Sequence, residues 1–453
     1  MRLFPPPLEI GAEEGFTKEK DIFGRSSIGR GLTNVVCRVT DPLVIAVDNE
    51  WGTGKTTFLK MWAGELRKLE IPVIYFDAFQ HDYVEDAFTA IAAEIISLAL
   101  QKQKESEPAT QKLIKSSVST AKILLRSSLK LGVKLGTAGI LDAADLENVA
   151  KDLAQEVSDL EDKYLGEILT KQKQEKDAIQ SFRDSLQVLP SLLTSGKPIQ
   201  DAAKAPLVII IDELDRCRPD FALQILERIK HFFSTPGVHF VLGAHLGQLQ
   251  NSVSAVYGAG VDSAKYLQKF VNLTLHLTES NWHPHQRATA IYIDHLFASM
   301  EIHSNSEFSS DYAKDYLHHL AHHRRLSLRV IERIITNLAI ALAYRPKNTF
   351  CLPPLLLGLC ALKVLSPGLY VQAKAGNLIF NDARETLAMS GAPEPNSKYS
   401  IEHMIKSWRY YSDPSVAEDN PEFQAFGRGL WDFGLARSNA VAAVARVVDR
   451  MSE

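Results

Sequence analysis

The sequence predicts an α/β protein with a mostly parallel sheet, a helical insertion and a helical C-terminal region. Three observations carry that expectation. Pro42-Leu43-Val44-Ile45-Ala46-Val47 is an apolar run that passes through a Gly-rich turn into an amphipathic stretch, Phe58-Leu59-Lys60-Met61-Trp62. Pro206-Leu207-Val208-Ile209-Ile210-Ile211 is a second, strongly β-branched run that ends in Asp212-Glu213. Between the two, apolar residues such as Leu146, Val149, Leu153, Val157 and Leu160 recur at spacings of three and four, the helical period.

The first run reads as a buried strand, and the turn after it is Asn49-Glu50-Trp51-Gly52-Thr53-Gly54-Lys55-Thr56-Thr57. Strand, Gly-rich turn and helix start are the context of a phosphate-binding loop. Glycines let backbone amides approach phosphate oxygens, and a helix N-terminus adds N–H groups and a favourable dipole. Lys55 is positioned for the β- and γ-phosphates of a nucleoside triphosphate, and the Thr56 hydroxyl for Mg²⁺. The nine loop residues are the candidate nucleotide-binding set. The usual spacing of such a loop places a glycine where Asn49 stands. Asn is the non-Gly residue that best tolerates φ > 0, so Asn49 is expected in that conformation.

The second run has the form of the strand that carries acidic residues for the metal and the attacking water. Asp212 is the expected Mg²⁺ carboxylate and Glu213 the expected general base. A third run, Val238 to Ala244, ends in His245, and Val271 to Leu277 reads as a further strand. The insertion, roughly 101–203, starts with Lys122, Arg126, Lys130 and Lys134 in one basic stripe, interrupted by Gly132 and Gly136. Its second half reads as an amphipathic helix continuing through Lys171 to Leu189, so a helical hairpin projecting from the core is expected. His318/His322 and His319/His323 are i, i+4 pairs on an expected helix with no third metal ligand close in sequence. A helix follows from Leu326. Pro353-Pro354 opens a buried helix to Leu365, and further helices are expected around Glu402–Trp408, Phe423–Phe433 and Asn439–Met451, the last capped by Ser438. The expected segments are a core of 1–100 and 204–280, the insertion 101–203, a helical lid 281–349 and a C-terminal domain 350–453.

Composition narrows the class. In 453 residues, 45% are hydrophobic and 23% charged, as in globular proteins. A formal net charge of −4 gives no global pull toward nucleic acid. The four cysteines (Cys37, Cys217, Cys351, Cys360) lack metal or disulfide spacing, which fits a reducing, cytoplasmic setting. Met1-Arg2 is followed by prolines and acids, so no signal peptide is expected. The longest uncharged run, Asn348 to Leu362, contains two prolines and falls short of the about 20 residues of a membrane span.

Four segments together resemble one known family. Glu50 to Leu59 resembles the E-W-G-x-G-K-[ST] loop of KAP-family P-loop NTPases, and Asp212-Glu213-Leu214-Asp215-Arg216-Cys217-Arg218-Pro219 resembles that family's D-[DE]-L-D-R-C-x-P signature. Phe76-Asp77-Ala78-Phe79-Gln80-His81 is similar to its F-N-A-W segment, and Asp21-Ile22-Phe23-Gly24-Arg25 to its D-x-x-G-R segment. The resemblance implies an ASCE-type P-loop NTPase, with an additional strand in the core. It implies Mg²⁺ and ATP as cofactors, with Phe23, Gly24 and Arg25 near the base. ATP rather than GTP also fits the absence of an N-K-x-D guanine-reading motif. It implies Glu213 and Lys55 as catalytic residues, Arg329 of the lid as a γ-phosphate contact, and Arg216 as a charge stabiliser. Arg216 is equally readable as an ion-pair partner of Asp215 or Asp220, and Arg325 and Arg333 compete with Arg329. His245 stands where the family has an aspartate.

Function then follows as expectation: ATP hydrolysis coupled to conformational change or to assembly with partner proteins of one system, as a homo-oligomer or hetero-complex. A role in bacterial defence against phage accompanies the resemblance. Two alternatives stay open. One is a nucleotide-controlled scaffold with little hydrolysis. The other is a nucleic-acid-stimulated ATPase, which the Lys122–Lys134 stripe leaves room for and the charge balance does not indicate.

Overall fold

The two long apolar runs become strands of one parallel sheet in the computed structural model of the chain. Its strands are β1 (Leu43–Asp48), β2 (Val73–Asp77), β3 (Leu207–Asp212), β4 (Val238–Ala244) and β5 (Leu273–Leu275). Their order is β2-β3-β4-β1-β5, and each described pairing is parallel. β4 therefore lies between β1, which leads into the Gly-rich loop, and β3, which ends in Asp212. That is the additional strand expected of this class. The structure describes residues 1–84, 86–102, 108–128, 164–194, 206–232, 234–277, 284–305, 307–344, 352–390, 398–417, 420–423, 426–427, 430 and 436–449.

The chain divides into two compact units. One comprises Ile10–Asn49 and Lys55–Leu277, the other Met1–Glu9, Glu50–Gly54 and Thr278–Glu453. In the first, helices α1 (Ser26–Arg38) and α2 (Lys55–Lys68) cover one face of the sheet. Helices α3 (Ala87–Lys102), α4 (Pro108–Ser128), α5 (Tyr164–Leu193), α6 (Pro219–Phe232) and α7 (Leu246–Tyr257) contribute to the other side, and a short helix, α8 (Ser263–Gln268), follows them. Side chains alternate along β3: Val208 and Ile210 pack with α1 and α2, and Leu207, Ile209 and Ile211 pack the opposite way. Because both faces are covered, every β3 residue is buried, and the sequence reads as a continuous apolar run.

The insertion forms a helix pair, α4 against α5. Thr120 donates to the Ala178 carbonyl at 3.3 Å, and Ser116 to Ser185 at 3.4 Å. The expected projection holds only in part, because Phe182, Leu186 and Leu189 of α5 belong to the core. Phe182 meets Phe88 of α3 edge-on, with ring centroids 5.1 Å apart. Lys122 and Arg126 lie on α4; Lys130, Lys134, Gly132, Gly136 and the stretch Leu146–Leu160 fall outside the described residues. The strand expected over Val271–Leu277 is shorter. Before it, Asn272 N donates to the Val44 carbonyl and Asn272 Oδ1 accepts from Val44 N, both at 2.8 Å; after it, Asn49 Oδ1 accepts from Leu277 N at 2.8 Å, so side chains share the pairing at both ends.

The second unit is helical. Its core is built by α9 (Pro284–Ser299), α10 (Ser310–Arg324), α11 (Leu328–Tyr344), α12 (Pro353–Leu365), α13 (Pro367–Lys374), α14 (Phe380–Thr386), α15 (Lys398–Ser412) and α16 (Ala440–Asp449). Pro353-Pro354 opens α12 as expected. Trp408 is fully buried and donates to the Pro354 carbonyl at 3.0 Å. Ser438 does not cap α16; it sits inside a 3-10 turn, Arg437–Asn439, that leads into the helix. Of the helix expected over Phe423–Phe433, Phe423 ends a 3-10 turn at Pro421–Phe423, Phe426, Gly427 and Leu430 are helical, and Trp431 and Phe433 fall outside the described residues. His319 of the His-rich segment bonds the Ala388 carbonyl at 3.0 Å. Among the described residues, no helix is long and apolar enough to cross a membrane.

Candidate active site

Six residues separate the end of β1 from the start of α2, and the chain reverses there through two glycines. Gly52 has φ +78° and Gly54 φ +82°. These are left-handed values that non-Gly residues rarely adopt, and successive amides in such a turn form an anion-binding concavity. Asn49 does not have positive φ, contrary to expectation. Its side chain instead accepts the Leu277 amide, so it fastens the loop to the strand that follows. The Lys55 ammonium donates to the Asn49 carbonyl. Lys55 is 8% exposed; burial pushes its pKa down, opposed by the carboxylates of Asp215, Asp212 and Asp48. Thr53 donates to the Glu50 carbonyl at 2.9 Å, and Trp51 is exposed.

Asp212 is the most constrained group of the site. It is 1% exposed. Oδ2 accepts from the Tyr75 hydroxyl at 2.6 Å, Oδ1 accepts from the Glu213 amide at 2.9 Å, and the Thr56 hydroxyl also bonds it. Burial raises its pKa, and those three donors oppose the rise. Thr56 and Asp212, the two expected metal ligands, are thus brought together. This small set suits Mg²⁺, which keeps several waters and takes one or two protein carboxylates plus phosphate oxygens.

Glu213 follows in a left-handed conformation, φ 58° and ψ 28°, which turns the chain out of β3. Burial raises its pKa most; Arg216 opposes that, with Nη1 2.9 Å from Oε1. Arg216 thus pairs with Glu213 rather than with Asp215 or Asp220. Three residues on, the chain supplies a guanidinium within reach of the turn, and Asp215 is occupied in accepting the His245 amide at 3.0 Å. Asp220 lies 3.9 Å from Arg218, whose main bonds go to Asp82.

The remaining expected residues are placed as follows. Asp21 accepts from the Arg25 and Ser26 amides at 2.8 and 2.9 Å and so caps α1; Gly24 has φ +66°, and the Arg25 guanidinium lies 4.6 Å from the Phe23 ring centroid. In the helical unit, Arg329 is the second residue of α11 and abuts the loop: a Cβ at Gly52 would lie 2.9 Å from Arg329 Cβ. Arg325 instead closes α10 in a left-handed conformation, and Arg333 is exposed a turn further on.

Three residues of the site went unread in the sequence. Tyr75 bonds Asp212. Asp48 accepts the Leu246 amide at 2.8 Å and ties the end of β1 to the start of α7. Gly243 of β4 makes room for Asp212, since a Cβ there would lie 2.3 Å from Asp212 Oδ1. A glycine inside an otherwise apolar strand is the signal that marks such a close approach; the other two carry no local signal.

A family model described as the KAP family P-loop domain matches residues 25–345. An uncharacterized protein of Methanocaldococcus jannaschii is 28% identical over 137 residues, which is 30% of this chain and 66% of that protein. The match thus spans just under two thirds of that relative's length. Among solved structures, the Aeropyrum pernix ORC2 protein in its ADPNP–ADP complexes aligns with a TM-score of 0.36 at 11% identity, covering 99% of this chain and 98% of that one. Its ADP form aligns with a TM-score of 0.32 at 11% identity over 99% and 96% of the two chains.

Proposed function

The chain belongs to the KAP family of P-loop domain proteins, and we propose that it binds ATP with Mg²⁺ and hydrolyses it. The observation that carries this reading is the buried Asp212 carboxylate, bonded to Thr56 just after a turn with two left-handed glycines. The amides of that loop, the α2 N-terminus and Lys55 would hold the phosphates, and Thr56 and Asp212 the cation. When bound, Mg²⁺ neutralises charge on the phosphate oxygens. Glu213 orients a water and takes its proton; burial makes this carboxylate more basic, and release from Arg216 frees it for that task. Arg216 then becomes available to face developing negative charge.

The test is ATP turnover and nucleotide binding by the wild type, Glu213→Gln and Lys55→Ala, with and without DNA or RNA. Both substitutions are expected to abolish turnover, and only Glu213→Gln to retain binding. One observation favours a second reading, a nucleotide-controlled scaffold with little hydrolysis: Glu213 is engaged by Arg216 at 2.9 Å. Tight binding without turnover in the wild type would select it. Nucleic-acid stimulation lost steeply with salt would select a motor instead. Work alongside partner proteins in bacterial defence against phage rests on the family resemblance. It is tested by plaque counts in cells carrying the whole system with wild type or Glu213→Gln.

A further inference from the structure

We propose that Tyr75 is a positioning residue that holds the Asp212 carboxylate in the orientation required to bind Mg²⁺. The role rests on the reading of this site as a Mg²⁺–nucleotide site.

Register explains how a tyrosine two residues before the end of β2 reaches the carboxylate. Asp77 pairs with Asp212 and Tyr75 with Ile210. Residues 75 and 77 share a sheet face, so Tyr75 is a diagonal neighbour of Asp212. Diagonal neighbours stand about 7–8 Å apart, within reach of an aromatic side chain. The hydroxyl closes that span with a 2.6 Å bond to Oδ2.

The three donors to Asp212 have different fates. The Thr56 hydroxyl is the group that a bound cation would also recruit. The Glu213 amide holds Oδ1 and belongs to the turn itself. Tyr75 is the side-chain donor left to Asp212 alone. It acts on the other oxygen, so it prevents rotation about the Cβ–Cγ bond. Tyr75 also meets the helix that starts at the loop: Lys60 Nζ lies 5.7 Å from its ring centroid. Lys60 stands one turn after Thr56 on α2, so the phenol lies between the helix carrying one expected metal ligand and the strand carrying the other.

Outer partners of a ligating carboxylate, when removed, cost about 10–100-fold in metal affinity. The experiment compares the full chain with Tyr75→Phe, which keeps the ring and its packing. A fluorescent ATP analogue is titrated in EDTA and then across a Mg²⁺ series, with melting curves to confirm folded protein at the assay temperature. The expected result is unchanged affinity in EDTA and a rise of about tenfold or more in the Mg²⁺ concentration for half-maximal enhancement. A purely structural tyrosine would lower the melting point or weaken binding equally with and without Mg²⁺. Equal Mg²⁺ half-points in the two proteins, or losses independent of Mg²⁺, would overturn the role while leaving the nucleotide site standing. No Mg²⁺-enhanced binding by the wild type would overturn the nucleotide reading, and the role with it.

Discussion

Replacing Gly243 by alanine adds one methyl group at the most crowded point of the sheet. Its carbon would lie 2.3 Å from Asp212 Oδ1 and 2.5 Å from Leu59 Cδ1. Ordinary heavy-atom contact begins about 1 Å further out. The backbone cannot retreat, because β4 is paired with β1 on one side and β3 on the other. Leu59 is fully buried, and Asp212 is tied by Tyr75, Thr56 and the Glu213 amide. The strain is of the overpacking kind, about 1–3 kcal/mol. For a unit of this size that corresponds to a melting point lower by roughly 4–8 °C at the middle of that range. Since the nearest atom is Oδ1, the bond to the Glu213 amide is displaced, and Mg²⁺-dependent nucleotide binding weakens with it. The assay is thermal melting combined with a Mg²⁺ titration of nucleotide binding. Gly31→Ala is the control, because that exposed helical glycine has no atom within 4 Å of an added Cβ. It is expected to gain about 0.5–1 kcal/mol. If Gly243→Ala melts with the wild type and binds Mg²⁺–nucleotide equally well, the steric argument is wrong.

Asn49→Gly separates two accounts of the loop. With the Leu277 bond lost it is expected to destabilise by about 1 kcal/mol in urea unfolding, whereas a mere stand-in for glycine would lose nothing. His239 is fully buried on β4, facing the Val36 and Val39 backbone, and burial lowers its pKa from 6.5 to about 4. The unfolded chain takes up that proton below pH 6.5 while the folded chain does not until about 4, so stability falls as pH drops through this window. The full loss is about 3 kcal/mol, and His239→Phe is expected to flatten that part of the stability–pH curve; an unchanged slope would refute it. Arg437 donates to the Tyr410, Val416 and Asp413 carbonyls, the last two at 2.5 and 2.7 Å, and lies 4.6 Å from the Tyr410 ring centroid. Arg437→Ala should cost about 2–4 kcal/mol and expose α15 to limited proteolysis, and Arg437→Lys should not restore it, since an ammonium lacks the planar fork.

Much of the framework was legible because it is local. The run at β3 announces a buried strand, Gly52 and Gly54 announce a turn where backbone amides can approach a ligand closely, and Lys55, Thr56, Asp212 and Glu213 stand at the ends of recognisable elements. Helix period and proline position likewise placed α5 and α12, and the resemblance to the family's lid placed α11. What the loop asparagine does was misread, because its partner Leu277 is 228 residues away and no local rule names it. The partner of Arg216 depended on the 3-10 turn Leu214–Arg216 after β3, which follows the left-handed Glu213 and brings the guanidinium back to the Glu213 carboxylate. The additional strand, β4 between β1 and β3, was expected through the family resemblance, but the meeting of Gly243, Tyr75 and Asp212 beside it came from tertiary structure alone. Backbone period and turn chemistry are properties of neighbours along the chain. Strand order, and the side chains it sets against one carboxylate, are decided by which distant segments bury each other's faces.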